Sequence, residues 1–199
     1  MKNLKVRTKL NLILTLVILL VVLASAVSIN NMNQVKDKAL DTIDASSRQS
    51  YDDSIKQQVS VVISLLSEVY DEYKAGAYTL DEAKKIAADE VRQMRYGDAG
   101  DGYFWIDDTD YNLVMHPILP DQEGNNRYDL EDQNGVMIIQ EIMKVAQSAD
   151  GGGFNEFYFT KSDGVTVAPK VAYSQIFKPW GWVVSTGNYV DDMQAEMAS

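Results

Sequence analysis

The chain has 199 residues, 46% of them hydrophobic and 24% charged, ordinary values for one globular domain with an appendage. Lys2, Lys5, Arg7 and Lys9 carry all the charge of the first nine residues, and the other 190 hold 14 basic against 29 acidic side chains, a balance of −15. Such a body has no cationic stripe for a polyphosphate backbone, which excludes nucleic acid as the main partner; with no cysteine and one histidine, His116, it also excludes disulfides, thiolate chemistry and a multi-histidine zinc site.

Leu10 to Ile29 is an uncharged run of twenty residues, enough to span a bilayer as a helix. The basic residues flank it on the amino side only. Residues 1–9 are therefore expected in the cytoplasm, 10–29 as a single-pass inner-membrane signal-anchor, and 30–199 as a periplasmic domain. A cleavable signal peptide is the alternative, with Ala24-Ser25-Ala26 as a small-residue cut site. The length of the run, and helical patterning beyond the cut, favour the anchor.

After the span, Leu40, Ile43, Tyr51, Ile55, Val59, Val62, Leu66, Val69 and Tyr73 recur mostly at steps of three or four, predicting a long amphipathic helix that stops at Gly76. Thr79 stands three before Glu82, a capping-box spacing. It opens a second helix with Ala83, Ile86, Ala87, Val91 and Met94 as its buried stripe, ending by Gly97. The period then changes. Tyr103 to Ile106 reads as a strand, Asp107 to Asp110 as a solvated turn, and Leu113 to His116 as the return strand. Pro117 and Pro120 open a polar loop to about Asp132, and Val136 to Ala146 reads as a short helix ended by Gly151-Gly152-Gly153. A second hairpin runs from Phe154 to Thr160, through a Ser162-Asp163-Gly164 turn, and from Val165 to Tyr173. Trp182 to Thr186 is a last strand before a tail from Val190. The expected fold is α+β: a transmembrane helix leading into a long helix packed on an antiparallel sheet of about five strands.

No Gly-x-Ser-x-Gly elbow, Walker loop or dinucleotide fingerprint is present, so neither enzymatic activity nor a cofactor is expected. Asp107, Asp108 and Asp110 lack the glycine and the glutamate of a calcium-binding EF-hand loop, and no metal is expected there. On a strand, Tyr103 and Trp105 share one face while Phe104 and Ile106 share the other. Lys170 and Tyr173 sit among apolar neighbours. Aromatic walls rimmed by a lysine, an arginine and a histidine suit a small anion. Each residue also has a structural reading: the aromatics as core, His116 as a hydrogen-bonded core group, Lys170 as a snorkelling side chain.

Arg95-Tyr96-Gly97, Gly102-Tyr103-Phe104-Trp105-Ile106, Met115-His116-Pro117, Asp132-Gln133-Asn134-Gly135, Gly153-Phe154, Lys170-Val171-Ala172-Tyr173 and Trp180 to Gly187 occur in that order. Together they resemble the extracytoplasmic single Cache domain, type 2, of bacterial methyl-accepting chemotaxis proteins, from about Ser47 to Met193. The resemblance implies a PAS-like sheet and a membrane-distal pocket for a short carboxylate such as pyruvate, acetate, propionate or lactate. It implies Tyr96 and Trp105 as pocket walls, Arg95, His116, Lys170 and Tyr173 as polar contacts, and Tyr103 and Tyr158 as further contacts. It also implies a homodimer paired along the first helices that senses, rather than catalyses, in chemotaxis signalling. The family continues after Asp192 into a second membrane helix and an output module; here Met193, Ala195, Met197 and Ala198 are the apolar residues that follow. The expectation is a truncated receptor or a standalone anchored protein. The alternatives are an anchored or secreted Cache binding protein for urea or an amine, and the sensor part of a histidine kinase or diguanylate cyclase. A pilin-like subunit would need a Gly-Phe processing site and a glutamate at its fifth mature position, and the sequence offers neither.

Overall fold

The computed structural model describes residues 5–97, 100–161, 163 and 165–197, without the side chains of residues 8, 26, 37, 40, 41, 194, 196 and 197. Lys2, Ser162, Gly164 and Ala198, and the side chains of Ala26, Leu40 and Met197, which the sequence reading used, lie outside the described residues. The chain divides into two compact units, residues 1–47 and 48–199. In the first, helix α1 (Val6–Lys74) includes a stretch, Lys9–Lys36, long and apolar enough by length and composition to cross a membrane. Its large apolar side chains are exposed, Leu16 by 57% and Leu20 by 57%.

In the second unit α1 buries one stripe, Ile55, Val59, Val62, Leu66 and Val69, at alternating steps of three and four. Each such side chain stabilises by about 1.5–3 kcal/mol when fully buried. Ile43, expected on the same stripe, is exposed. The helix ends where Gly76 takes φ +85°, a left-handed conformation that glycine adopts without strain, and Ala77 N–H donates to Glu72 O. Helix α2 (Leu80–Gln93) starts in the expected capping box: Glu82 N–H donates to Thr79 Oγ1 at 3.3 Å, and Thr79 N–H to Glu82 Oε2 at 2.9 Å. Then come β1 (Trp105–Asp108), β2 (Leu113–Met115), α3 (Ile138–Ala146), β3 (Gly152–Thr160), β4 (Val167–Phe177), β5 (Trp182–Tyr189) and α4 (Val190–Met197).

The five strands form one antiparallel sheet in the order β2-β1-β5-β4-β3. Strand alternation sends Phe104, Ile106, Val184 and Tyr173 to a core shared with α1 and α2. It sends Tyr103, Trp105, Ala172 and Val183 to a second core with α3. Two expectations are corrected. Asp107 and Asp108 belong to β1 rather than to a solvated turn: Asp107 is fully buried, because it continues the Trp105 face inward. Asp108 organises the real turn, accepting from Asp110 N–H and Asn112 N–H. The tail from Val190 is a helix, whose acidic first turn is held by Lys161 Nζ at 2.8 Å from Asp191 and 2.7 Å from Asp192.

Leu66→Ala is expected to lower unfolding stability by about 2–5 kcal/mol, through lost burial and a cavity under α1, and Thr79→Ala by about 1 kcal/mol. Denaturant unfolding of the two variants against the parent checks both.

Candidate ligand-binding site

Between the sheet, α3 and the 117–137 loop lies a small cavity of about 10 Å³, room for one water-sized molecule. The sequence brings residues there by strand parity. Trp105 opens β1 and Tyr103 stands two residues before it, Phe157 and Phe159 come from alternate positions of β3, and Lys170 from β4, where it pairs with Phe157. His116 follows β2, and Arg127 comes from the loop.

Lys170 is 1% exposed. Its ammonium donates to Tyr103 Oη at 3.0 Å and lies 4.4 Å from the Tyr103 ring centroid, 5.0 Å from Trp105 and 4.7 Å from Tyr189. These π-faces attract a cation but leave its charge unneutralised. Among the described residues no carboxylate pairs with it. Burial alone lowers its pKa from about 10.5 to about 7.

His116 reconciles two readings that stood apart in the sequence. Its Nδ1 accepts from Ile118 N–H at 3.1 Å and Leu119 N–H at 3.2 Å, so the ring is a satisfied core group. The same bonds place its proton on Nε2, and the ring, stacked on Trp105 at 6.2 Å, borders the cavity. Burial, with the Arg127 and Lys170 charges, lowers its pKa to about 3, so it is neutral and a donor. Arg127 is held by Asp107: Nε donates to Oδ1 at 3.0 Å and Nη2 to Oδ2 at 2.6 Å. Burial, against the opposing pull of the guanidinium, raises the Asp107 carboxyl to about 6, so it is ionised at neutral pH.

Of the residues singled out in the sequence, Tyr103, Trp105, His116 and Lys170 meet at this cavity, and Arg95, Tyr96, Tyr158 and Tyr173 do not line it. Arg95 is exposed, its Nη1 donating to Arg92 O and Met94 O at the end of α2. Tyr96 packs on Phe104 at 5.4 Å and shares a 2.6 Å hydrogen bond with Thr186 Oγ1, within the α1 and α2 core. Tyr173 lies three residues from Lys170, hence on the opposite sheet face, against Phe154 at 4.8 Å. Tyr158 alternates with Phe157 and Phe159, and its backbone N–H donates to Asp132 Oδ2 at 2.8 Å. Tyr96 and Tyr103 also border a larger open cleft of about 430 Å³ that includes Gln58 and Tyr189. Arg127, Asp107, Phe157 and Phe159 were missed. The Phe-x-Phe alternation facing Lys170 was readable; Arg127, in a polar loop, carries no local signal.

The folded pKa of Lys170 lies below its unfolded value, so the unfolded chain binds more protons between pH 7 and 10.5 and stability gains with pH across that window. Lys170→Met is expected to stabilise the protein near pH 7 by several kcal/mol, roughly 5 at most, with the gain shrinking toward pH 10.5. Thermal unfolding of both proteins over that range checks it.

The sequence model of the family Single Cache domain 2 matches residues 47–199. The methyl-accepting chemotaxis protein McpP of Pseudomonas putida is 36% identical over 62% of this chain and 22% of its own length. The sensor histidine kinase MctS of Rhizobium johnstonii is 29% identical over 94% of this chain and 39% of its own. The chain thus spans well under half the length of these relatives. Among solved structures, a periplasmic sensor domain of a chemotaxis protein aligns with TM-score 0.66 at 31% identity, covering 69% of this chain and 94% of that one. A Cache chemosensory domain described for carboxylic acid recognition aligns with TM-score 0.68 at 28% identity, covering 72% and 95%. A methyl-accepting chemotaxis protein of Vibrio parahaemolyticus aligns with TM-score 0.64 at 30% identity, covering 73% and 92%. An apolar amino-terminal helix, two helices on one face of a five-stranded antiparallel sheet, and a family match over three quarters of the sequence converge: the chain belongs to the single Cache domain 2 family.

Proposed function

We propose that the chain is the ligand-sensing part of a membrane-anchored signal transducer and binds a small carboxylate of the acetate, propionate, lactate or pyruvate class. The observation that carries this reading is Lys170, a buried ammonium with π-faces around it and no carboxylate partner among the described residues. A carboxylate would supply the missing charge, accept from Nζ, and find donors in His116 Nε2–H and the Arg127 guanidinium. Apolar walls from Trp105, Phe157 and Phe159 suit a short hydrocarbon tail. The recognition described for the Cache chemosensory domain of similar fold supports the same class.

The cavity as it stands is too small for such a ligand, so binding requires the surrounding side chains to move apart. That makes the site two-state: the ligand favours the open arrangement by its differential affinity for it. The proposed topology places residues 1–9 in the cytoplasm, 10–29 across the inner membrane and the body in the periplasm, with two copies paired along α1. The output served is that of a chemoreceptor. A histidine kinase is the second reading, favoured by the match to MctS, which runs over 94% of the chain.

Titration calorimetry with a panel of two- to four-carbon acids tests the reading. One or a few are expected to bind, Lys170→Ala to weaken them about a hundredfold or more, and Arg95→Ala to leave them within about twofold. Binding of urea or an amine instead, unaffected by Lys170→Ala, would contradict it. Because the anion needs Lys170 protonated, affinity is expected to fall about tenfold per unit as the pH rises above 7.

A further inference from the structure

We propose that Asp107 is a specificity-determining residue that sets the net charge of the pocket to +1 and so restricts it to ligands with a single negative charge. The inference rests on the carboxylate reading and sharpens it to charge type. With Lys170 protonated, as anion binding requires, the charged groups at the cavity among the described residues are Lys170, Arg127 and, behind Arg127, Asp107; His116 is neutral. Asp107 is fully buried and Arg127 is 7% exposed, so water does little to screen them. One carboxylate brings the group to neutrality. A dicarboxylate leaves a second negative charge inside a wall of Trp105, Phe157 and Phe159, where an unpaired ion is costly.

Asp107 also fixes how Arg127 can serve a ligand. It takes Nε and Nη2, while among the described residues no acceptor bonds Nη1. The guanidinium therefore meets an incoming carboxylate through Nη1 at its end, because Asp107 already fills the Nε–Nη2 edge. The position of Asp107 follows from the fold: it shares the Trp105 face of β1, within hydrogen-bond reach of Arg127 from the loop.

The 199-residue chain in mild detergent, titrated at pH 7.5 with propionate and with malonate, tests this. The parent is expected to prefer propionate strongly. Asp107→Asn, which raises the pocket charge by one while keeping the side chain's shape, is expected to shift the propionate-to-malonate affinity ratio toward malonate by about tenfold or more. Adding Arg127→Gln restores the single charge and is expected to return the preference for propionate, which a merely structural role of Asp107 would not do. If Asp107→Asn alone fails to fold, the double variant is read by itself: preference for propionate supports the inference and loss of that preference overturns it. A parent that binds propionate alongside an Asp107→Asn variant with an unchanged ratio overturns this inference alone. A parent that binds neither acid removes the carboxylate reading and this inference with it.

Discussion

The ammonium of Lys170, buried on a sheet face with no carboxylate partner among the described residues, is the constraint on which the candidate site depends. A lysine in this position costs stability unless something recovers the charge, and the protein recovers part of it with π-faces and one phenol oxygen. On the proposed reading, the remainder is recovered when an anion binds. Buried lysines without partners are rare, which makes this one informative. Ordinary packing would have filled the same volume with leucine or methionine.

The fold makes the position possible by separating two tasks across one sheet. The face toward α1 and α2 carries the stability, with Ile55, Val59, Val62 and Leu66 packed on Phe104, Ile106 and Val184. The opposite face can then tolerate a charged cavity beside the α3 core. Tyr103 and Tyr189 link that cavity to its surroundings: Tyr103 also borders the open cleft, and Tyr189, under the Lys170 charge, donates to Thr160 O and directly precedes α4. A displacement of Lys170 on binding would thus be felt at the segment leading into α4.

Much of this was legible in the sequence, because helix and strand periods are local. The α1 stripe from Ile55 to Val69, the Thr79–Glu82 capping box, the α3 stripe and the opposition of Trp105 and Ile106 all depend on neighbours within a few residues. The aromatic walls rimmed by Lys170 and His116 were suggested by residue type and supported by the family resemblance, and the geometry brings them together. What was not legible depends on distant partners. Asp107 looked like a turn residue because aspartates favour turns; its burial is decided by Arg127, twenty residues on, which no local pattern announces. Tyr96 and Tyr173 were grouped with Lys170 by the resemblance, whereas strand parity or packing puts them against the other core.

The central claim is that a carboxylate binds by completing the charge of Lys170, which ties binding to protonation of that one group. Calorimetry at pH 8 in buffers of different ionisation enthalpy measures the protons exchanged when a bound acid from the panel is titrated in. With the lysine near pH 7 before binding and well above it after, the account expects uptake of close to one proton per ligand, abolished in Lys170→Met. Carboxylate binding at pH 8 with no proton uptake would contradict it.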